Sequence, residues 1–280
     1  MITLASDFGT PYPAVMKGVL RQRTDARLVD VAHDFPRQDV RTAAFWLREV
    51  LPYFPPATHL VVVDPGVGTD RDAIVVRAGD HTLVGPDNGV LLPAARRLAG
   101  DAGRLESSLI DEDGLDPVEP TTDQSEPNSH SQHPPQGRSK TFHGRDVFAP
   151  AAAAVHDADI ADLESLAWLE PTTADVDLEL PTATLDAERA VGEVLAVDGF
   201  GNVITNVPGP ALEDRERVQA NGEPVPAGET FAAVPVGERL ATVGSHGYVE
   251  LDVNQGRGDE AFDLEPGDRV VLEPVPGDDS

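Results

Sequence analysis

Leu60 to Arg71, LVVVDPGVGTDR, ends a short apolar run on a carboxylate, turns on glycines and reaches an arginine. Further along, FHGRD supplies an imidazole, His143. Asp64, Arg71 and His143 together can activate a water: a carboxylate to orient it, a permanent cation to hold the carboxylate, an imidazole to handle protons. The plain structural alternative is an Asp–Arg pair that closes a turn.

A second set lies in the C-terminal third. Asp198-Gly199-Phe200-Gly201-Asn202 puts a carboxylate, an aromatic face and an amide in one turn, and Gly244-Ser245-His246-Gly247 adds a hydroxyl and backbone donors in another. Carboxylates bind ammonium groups, amides read purine edges, and hydroxyl and N–H groups bind carboxylates. An amino-acid or purine ligand suits them; so does the ordinary role of Gly, Asn and Asp in hairpin turns.

Other chemistries find less. Asp7, His33 with Asp34, Asp64, and Asp87 with Asn88 fall at expected strand ends, where a dinuclear metal site is conceivable. HxH and HExxH are both missing. Gly66-Val67-Gly68 opens a GxG, but Arg71 stands in place of a third glycine, and the chain has neither a Walker A lysine nor a GxSxG nucleophile.

The elements that must position these residues follow from periodicity. Ile2 to Asp7, Ala26 to Val31, Leu60 to Val63 and Ala73 to Ala78 read as strands, the third without polar alternation, as in a sheet buried on both faces. Helices are expected through Val15, Met16, Val19 and Leu20, from an Asp39 cap to Val50, and over Val90 to Leu98. Strands alternating with helices imply a mostly parallel sheet, with ligands at the carboxyl ends of its strands. Arg71 should return to Asp64 if the runs on either side of it pair. Asp146 can cap a helix into the alanine run.

Ser107 to Lys140 is acidic and rich in Pro, Ser and Gln, an expected polar insertion in which His130 and His133 are solvated bystanders. Ile160 to Leu180 reads as an acidic connector. From about Ala190 the pattern has period 2 with frequent turns, as in a sandwich or barrel, and Pro276 to Ser280 should fray. The expected organisation is an α/β domain over residues 1–180 and a smaller all-β, barrel-like domain over 188–280.

Composition narrows the function classes. The 280 residues carry a net charge of -28, with Lys17 and Lys140 as the only lysines. Such charge argues against nucleic acid and anionic membrane as partners, because there is little to displace phosphate counterions. It also implies a chain suited to high salt, where the Debye length shrinks to about 3 Å at 1 M. The chain has no cysteine, which removes disulfides, thiolate–zinc sites and cysteine nucleophiles. No run reaches membrane-spanning length, and the expected location is the cytoplasm.

Taken in order, SDFG, MKGV, VDPGVG, GPDNG, FHGRDVFAP, DGFGNVITN and GSHGYVELDVN resemble the S-adenosyl-L-methionine (SAM) hydrolase family, the SAM hydroxide adenosyltransferases, related to adenosyl-fluoride and adenosyl-chloride synthases. The resemblance covers nearly the whole chain apart from the insertion. It implies an N-terminal α/β domain, a C-terminal barrel-like domain, and a homotrimer with SAM bound between one subunit's N-terminal domain and its neighbour's C-terminal domain. It assigns water activation to Asp64, Arg71 and His143, ribose binding to Asp7, and the methionine ammonium to Asp198. It assigns adenine reading to Asn202 beside Phe200, and the methionine carboxylate to Ser245 with His246. No metal and no cofactor are implied, since SAM is the substrate. Gly244 stands where the family often has Asn, and His246 where the halide enzymes have Arg. The halide branch carries Tyr and Thr at the positions of Asp64 and Val67 and Ser at Gly144, so hydrolysis is the expected reaction. An adenosyl-halide synthase, a non-catalytic SAM or adenosine sensor, and a metal-dependent phosphohydrolase are the alternatives.

Overall fold

The computed structural model describes residues 1–100, 103–119, 139–174, 176–186 and 189–275. The chain divides into two compact units, Met1–Glu179 and Leu180–Ser280. His130, His133 and Pro276 to Ser280 lie outside the described residues.

The first unit runs β1 (Ile2–Ser6), α1 (Tyr12–Arg23), β2 (Leu28–Ala32), α2 (Val40–Val50), β3 (Thr58–Val62), β4 (Ala73–Ala78), β5 (His81–Pro86), α3 (Leu92–Ala99), β6 (Leu105–Ile110), α4 (Ala149–Asp157) and β7 (Leu169–Thr172). Its sheet has the order β2-β1-β3-β5-β4-β6-β7. The first four of these strands are parallel, and β4, β6 and β7 extend them antiparallel.

Alternation along the central strands feeds two cores. Leu60 and Val62 pack with Met16 and Leu20 of α1 and the alanines of α4 on one face. Val61 and Val63 pack with Ala43 and Leu47 of α2 and Ala94 and Ala95 of α3 on the other. A strand buried on both faces has no polar period to show. At the start of α2 the Asp39 side chain accepts a hydrogen bond from Thr42 N at 2.9 Å, satisfying one of the helix's free donors.

Three expectations are corrected. Ser107 to Ile110 are not part of a polar insertion but the second part of β6, with Leu109 opposite Ile74 and Ser108 opposite Val75. The stretch read as an acidic connector contains β7, paired to β6. β6 lies between β4 and β7, and β7 forms the edge of the sheet; for both, the partners rather than their own weak alternation decide their state. Asp146 caps no helix: it lies inside a π-helical turn, Gly144–Phe148, that runs straight into α4. Its carboxylate instead accepts from Ser139 N at 2.7 Å and from the Arg145 guanidinium at 2.6 and 2.8 Å.

The second unit contains β8 (Thr184–Leu185), β9 (Ala190–Val197), β10 (Val203–Pro208), β11 (Arg217–Ala220), β12 (Glu223–Pro226), β13 (Arg239–Val243), β14 (Tyr248–Val253), a short α5 (Gly258–Phe262) and β15 (Arg269–Pro274). Its antiparallel sheet follows β12-β11-β15-β9-β10-β14-β13, with β8 on β9. A bridge from Ala227 to Ala241 ties the two ends toward a barrel. Val203, Val249, Leu251 and Val270 fill its interior. Helix α5, of five residues, is too short to show a helical period in sequence.

Candidate active site

Ser6 pairs with Val62, so Asp7 and Asp64 leave neighbouring parallel strands on the same rim. Asp64 opens a tight turn in which Thr69 N and Thr69 Oγ1 both donate to Gly66 O, at 3.1 and 2.6 Å. That turn swings Arg71 back over the carboxylate. Arg71 Nε donates to Asp64 Oδ1 at 2.9 Å and Nη2 to Oδ2 at 2.7 Å, a two-pronged pair, while Gly66 N adds a third bond to Oδ1 at 3.0 Å. The approach of Arg71 does not come from strand pairing: β5 lies between β3 and β4. The turn alone closes the distance.

His143 joins from the start of the π-helical turn, its Nδ1 3.4 Å from Arg71 Nη2. A guanidinium has only donors, so this contact leaves the lone pair on Nδ1 and the proton of the neutral ring on Nε2. All three groups are largely withdrawn from solvent. Phe148 lies beneath them, its ring 5.5 Å from the Arg71 guanidinium carbon and edge-on to His143.

The two loops meet at glycines. Gly68 has φ +81°, and a Cβ there would sit 2.6 Å from Lys140 O. A Cβ on Gly144 would sit 2.9 Å from the Met16 sulfur and 3.1 Å from the Phe142 ring. Phe8, Tyr12 and Phe142 form an edge-to-face cluster that joins the SDFG loop to the FHGRD loop. Asp7 is buried there, and its Oδ2 accepts from Gln38 N at 2.7 Å.

The other rim groups are engaged by the protein itself. His33 bridges Ser6 Oγ and Asp30, and Asn88 spans Val63 O and Val90 N. Among the described residues no group of three or more His, Asp or Glu is placed to hold a metal. A hollow of about 480 Å³ is lined in part by Arg71, and another of about 570 Å³ opens near Arg77, Arg96 and Arg104.

In the second unit Asp198 and Asn202 form one turn: Asp198 Oδ1 accepts from Phe200 N and Asn202 N, both at 2.9 Å, and Oδ2 from Asn202 Nδ2 at 3.1 Å. Phe200 projects 80% exposed from its tip. Ser245 Oγ and His246 Nδ1 are 3.4 Å apart on the GSHG turn. Two members of this neighbourhood escaped the sequence reading, Glu250 and Asp252, both buried on β14. Their signal was present: two carboxylates at alternate positions of an otherwise apolar strand. Phe148 was missed too, five residues beyond His143 inside a motif already noted.

These features define a class: a two-unit protein in which a sandwiched α/β sheet carries a carboxylate, a guanidinium and an imidazole on its parallel-strand rim, followed by an antiparallel, barrel-like unit. Within that class, the chain belongs to the SAM hydroxide adenosyltransferase family, whose N-terminal domain matches residues 2–166 and C-terminal domain residues 192–271. It is 40% identical to an (R)-S-adenosyl-L-methionine hydrolase of Salinispora tropica over 274 residues, 96% of either chain. It is also 40% identical to one of Thermus thermophilus, over 95% of this chain and 97% of the relative. Among solved structures it resembles an uncharacterized conserved protein of Thermotoga maritima at 29% identity and a TM-score of 0.77, covering 98% of this chain and all of the other. A conserved hypothetical protein of Thermus thermophilus matches at 36% identity and a TM-score of 0.69, over 97% and 98% of the two chains.

Proposed function

We propose that this chain hydrolyses S-adenosyl-L-methionine to adenosine and L-methionine by attack of water on C5′ of the ribose. The reading is carried by the Asp64–Arg71–His143 cluster and supported by the relatives, whose name specifies the R configuration of the substrate. The sulfonium is already activated, since methionine leaves as a neutral thioether and needs no acid. The task is to hold one water in line with the C5′–S bond and take its proton as the new C–O bond forms.

Asp64 Oδ1 already accepts two donors, whereas Oδ2 accepts one. The free site on Oδ2 is therefore where a water proton is received. Arg71 holds the Asp64 carboxylate aimed, and the Nε2–H of His143 is available to the water oxygen. A carboxylate held this way is a weak base toward bulk water. It suffices here because the water's protons become strongly acidic once its oxygen bonds to carbon.

Asp7 is assigned to the ribose, Asp198 to the methionine ammonium, Asn202 with Phe200 to adenine, and Ser245 with His246 to the methionine carboxylate. An assembly of three copies, each site shared by two subunits, follows the family resemblance. A cytoplasmic location goes with a SAM-consuming reaction, and no described helix is long and apolar enough to cross a membrane. Halide transfer is disfavoured because a small anion would face the Asp64 carboxylate, and a side chain at Gly144, such as the halide branch carries there, would press on the Met16 sulfur and the Phe142 ring.

Incubation of purified protein with SAM, followed by chromatography, tests the reading. Adenosine and methionine in equal amounts are expected, in molar chloride as well as without it, and with or without chelator. A chlorinated adenosine in chloride, activity lost to chelator, or SAM recovered intact would each select a different alternative.

A further inference from the structure

The cross-strand pairs of the second unit sort its polar residues onto one face. Val203, Leu251 and Ala241 pair in a row, and all three are core. One residue along each strand, the side chains point to the opposite face. Ala196, Ile204, Glu250 and Thr242 form one row there by direct pairing. Asp252 sits opposite Leu240 in the next row, in line with the Asp198–Asn202 turn. This outward face is nonetheless covered: Glu250 is 7% exposed and Asp252 fully buried. Gly258, at the start of α5, packs against the backbone of Leu251 and Asp252.

The Glu250 carboxylate occupies a particular place. It fills the space a side chain at Gly244 would need, with Oε1 1.7 Å from where a Cβ would be. Glu250 thus reaches the GSHG turn from below while feeling the charge of Asp198 in the DGFGN turn. Beneath it, neither carboxylate oxygen of Asp252 has a hydrogen-bond partner among the described residues. A buried carboxyl without partners costs free energy unless a proton or a cation compensates it.

We propose that Glu250, backed by Asp252, is a recognition residue for the ammonium-bearing end of the ligand, completing with Asp198 an anionic receptor between the DGFGN and GSHG turns. The inference rests on the hydrolase reading and adds to it the group that discriminates cationic from neutral nucleosides. Burial and the Asp198 charge push the Glu250 carboxyl up to about 7, and burial with both neighbours pushes Asp252 up to about 8. The other charged groups around the face are Arg257, just before α5, and Asp259 on α5, paired with each other at 2.6 Å, and His246 on the turn. Near neutral pH the Glu250–Asp252 pair therefore holds a proton. A bound ammonium takes its place, and the proton leaves to solvent.

Two unreactive probes separate the terms in calorimetry on the full chain. S-adenosyl-L-homocysteine carries the ammonium, and 5′-methylthioadenosine lacks it. Glu250→Gln should weaken the first roughly ten- to hundredfold, the cost of a charge-assisted hydrogen bond, and leave the second within about twofold. Binding of the first to the unaltered protein at pH 7 should release a proton, read from buffers of different ionisation heat, and Glu250→Gln should not. Asp252→Asn, nearly isosteric, is the second variant if Glu250→Gln does not fold, and it too should reduce proton release. Equal losses for both probes, no loss for either, or unchanged proton release would overturn the inference and leave the hydrolase reading intact. If the unaltered protein binds neither nucleoside, both readings fall.

Discussion

Arg71 holds both oxygens of Asp64, at 2.9 and 2.7 Å, across a turn of only seven residues. The grip is two-pronged, and the same guanidinium reaches His143, so one side chain fixes the other two. Only a planar fork can do this; a lysine ammonium offers one charged point.

Arg71→Lys should therefore keep the charge and lose the geometry. Turnover is expected to fall by roughly 10²-fold, comparable to losing one preorganised donor, while KM changes little. His143→Gln and Asp64→Asn should each cost roughly 10²–10⁴-fold in adenosine formation. Turnover close to that of the unaltered chain in all three would remove the cluster from the chemistry.

Gly68→Ala probes the seam between the two loops. A side chain at φ +81°, 2.6 Å from Lys140 O, must displace the FHGRD loop. A loss of about 1–3 kcal/mol in denaturant unfolding is expected, with a fall in kcat larger than the stability loss explains.

The two units should respond to pH in opposite directions. His59 is fully buried between Thr3 and His81, at 2.7 and 2.9 Å, and burial with the neighbouring His81 drives its pKa from 6.5 down to about 3. Its folded pKa is depressed, so its contribution to stability is complete above about 6.5 and is lost as pH falls from there toward 3. His59→Gln should flatten that acid limb. Hydrogen exchange resolved by unit is the measurement, and an unchanged acid slope would contradict the assignment.

Asp252 works the other way. Its folded pKa is raised from 3.8 to about 8, so stability is complete below about 4 and declines as pH rises toward 8. Asp252→Asn should raise the melting temperature at pH 8.5 and give no gain at pH 4.

A net charge of -28 on this chain should make stability depend on salt. Raising KCl from 0.1 to about 2 M should lift the melting temperature by roughly 5 °C or more as self-repulsion is screened. A melting temperature independent of salt would reject the high-salt reading.

What was legible in sequence was what depends on neighbours along the chain. The LVVV and AIVVRA runs, the Asp39 cap, the glycine turns and the period-2 strands after Ala190 follow from local sterics and from burial on one face or two. Asp64, Arg71 and His143 stood out because their residue types and glycine-rich settings suit water chemistry. Tertiary structure alone decided which strands became neighbours. It inserted β5 between β3 and β4, recruited the polar SS of Ser107 and Ser108 into a strand paired on both sides, and set the FHGRD loop against Gly68. It also turned Glu250 and Asp252 onto a covered face beside Asp198. These outcomes depend on contacts between residues far apart in the chain, whose energies come from burial and charge in three dimensions and leave no local period to read.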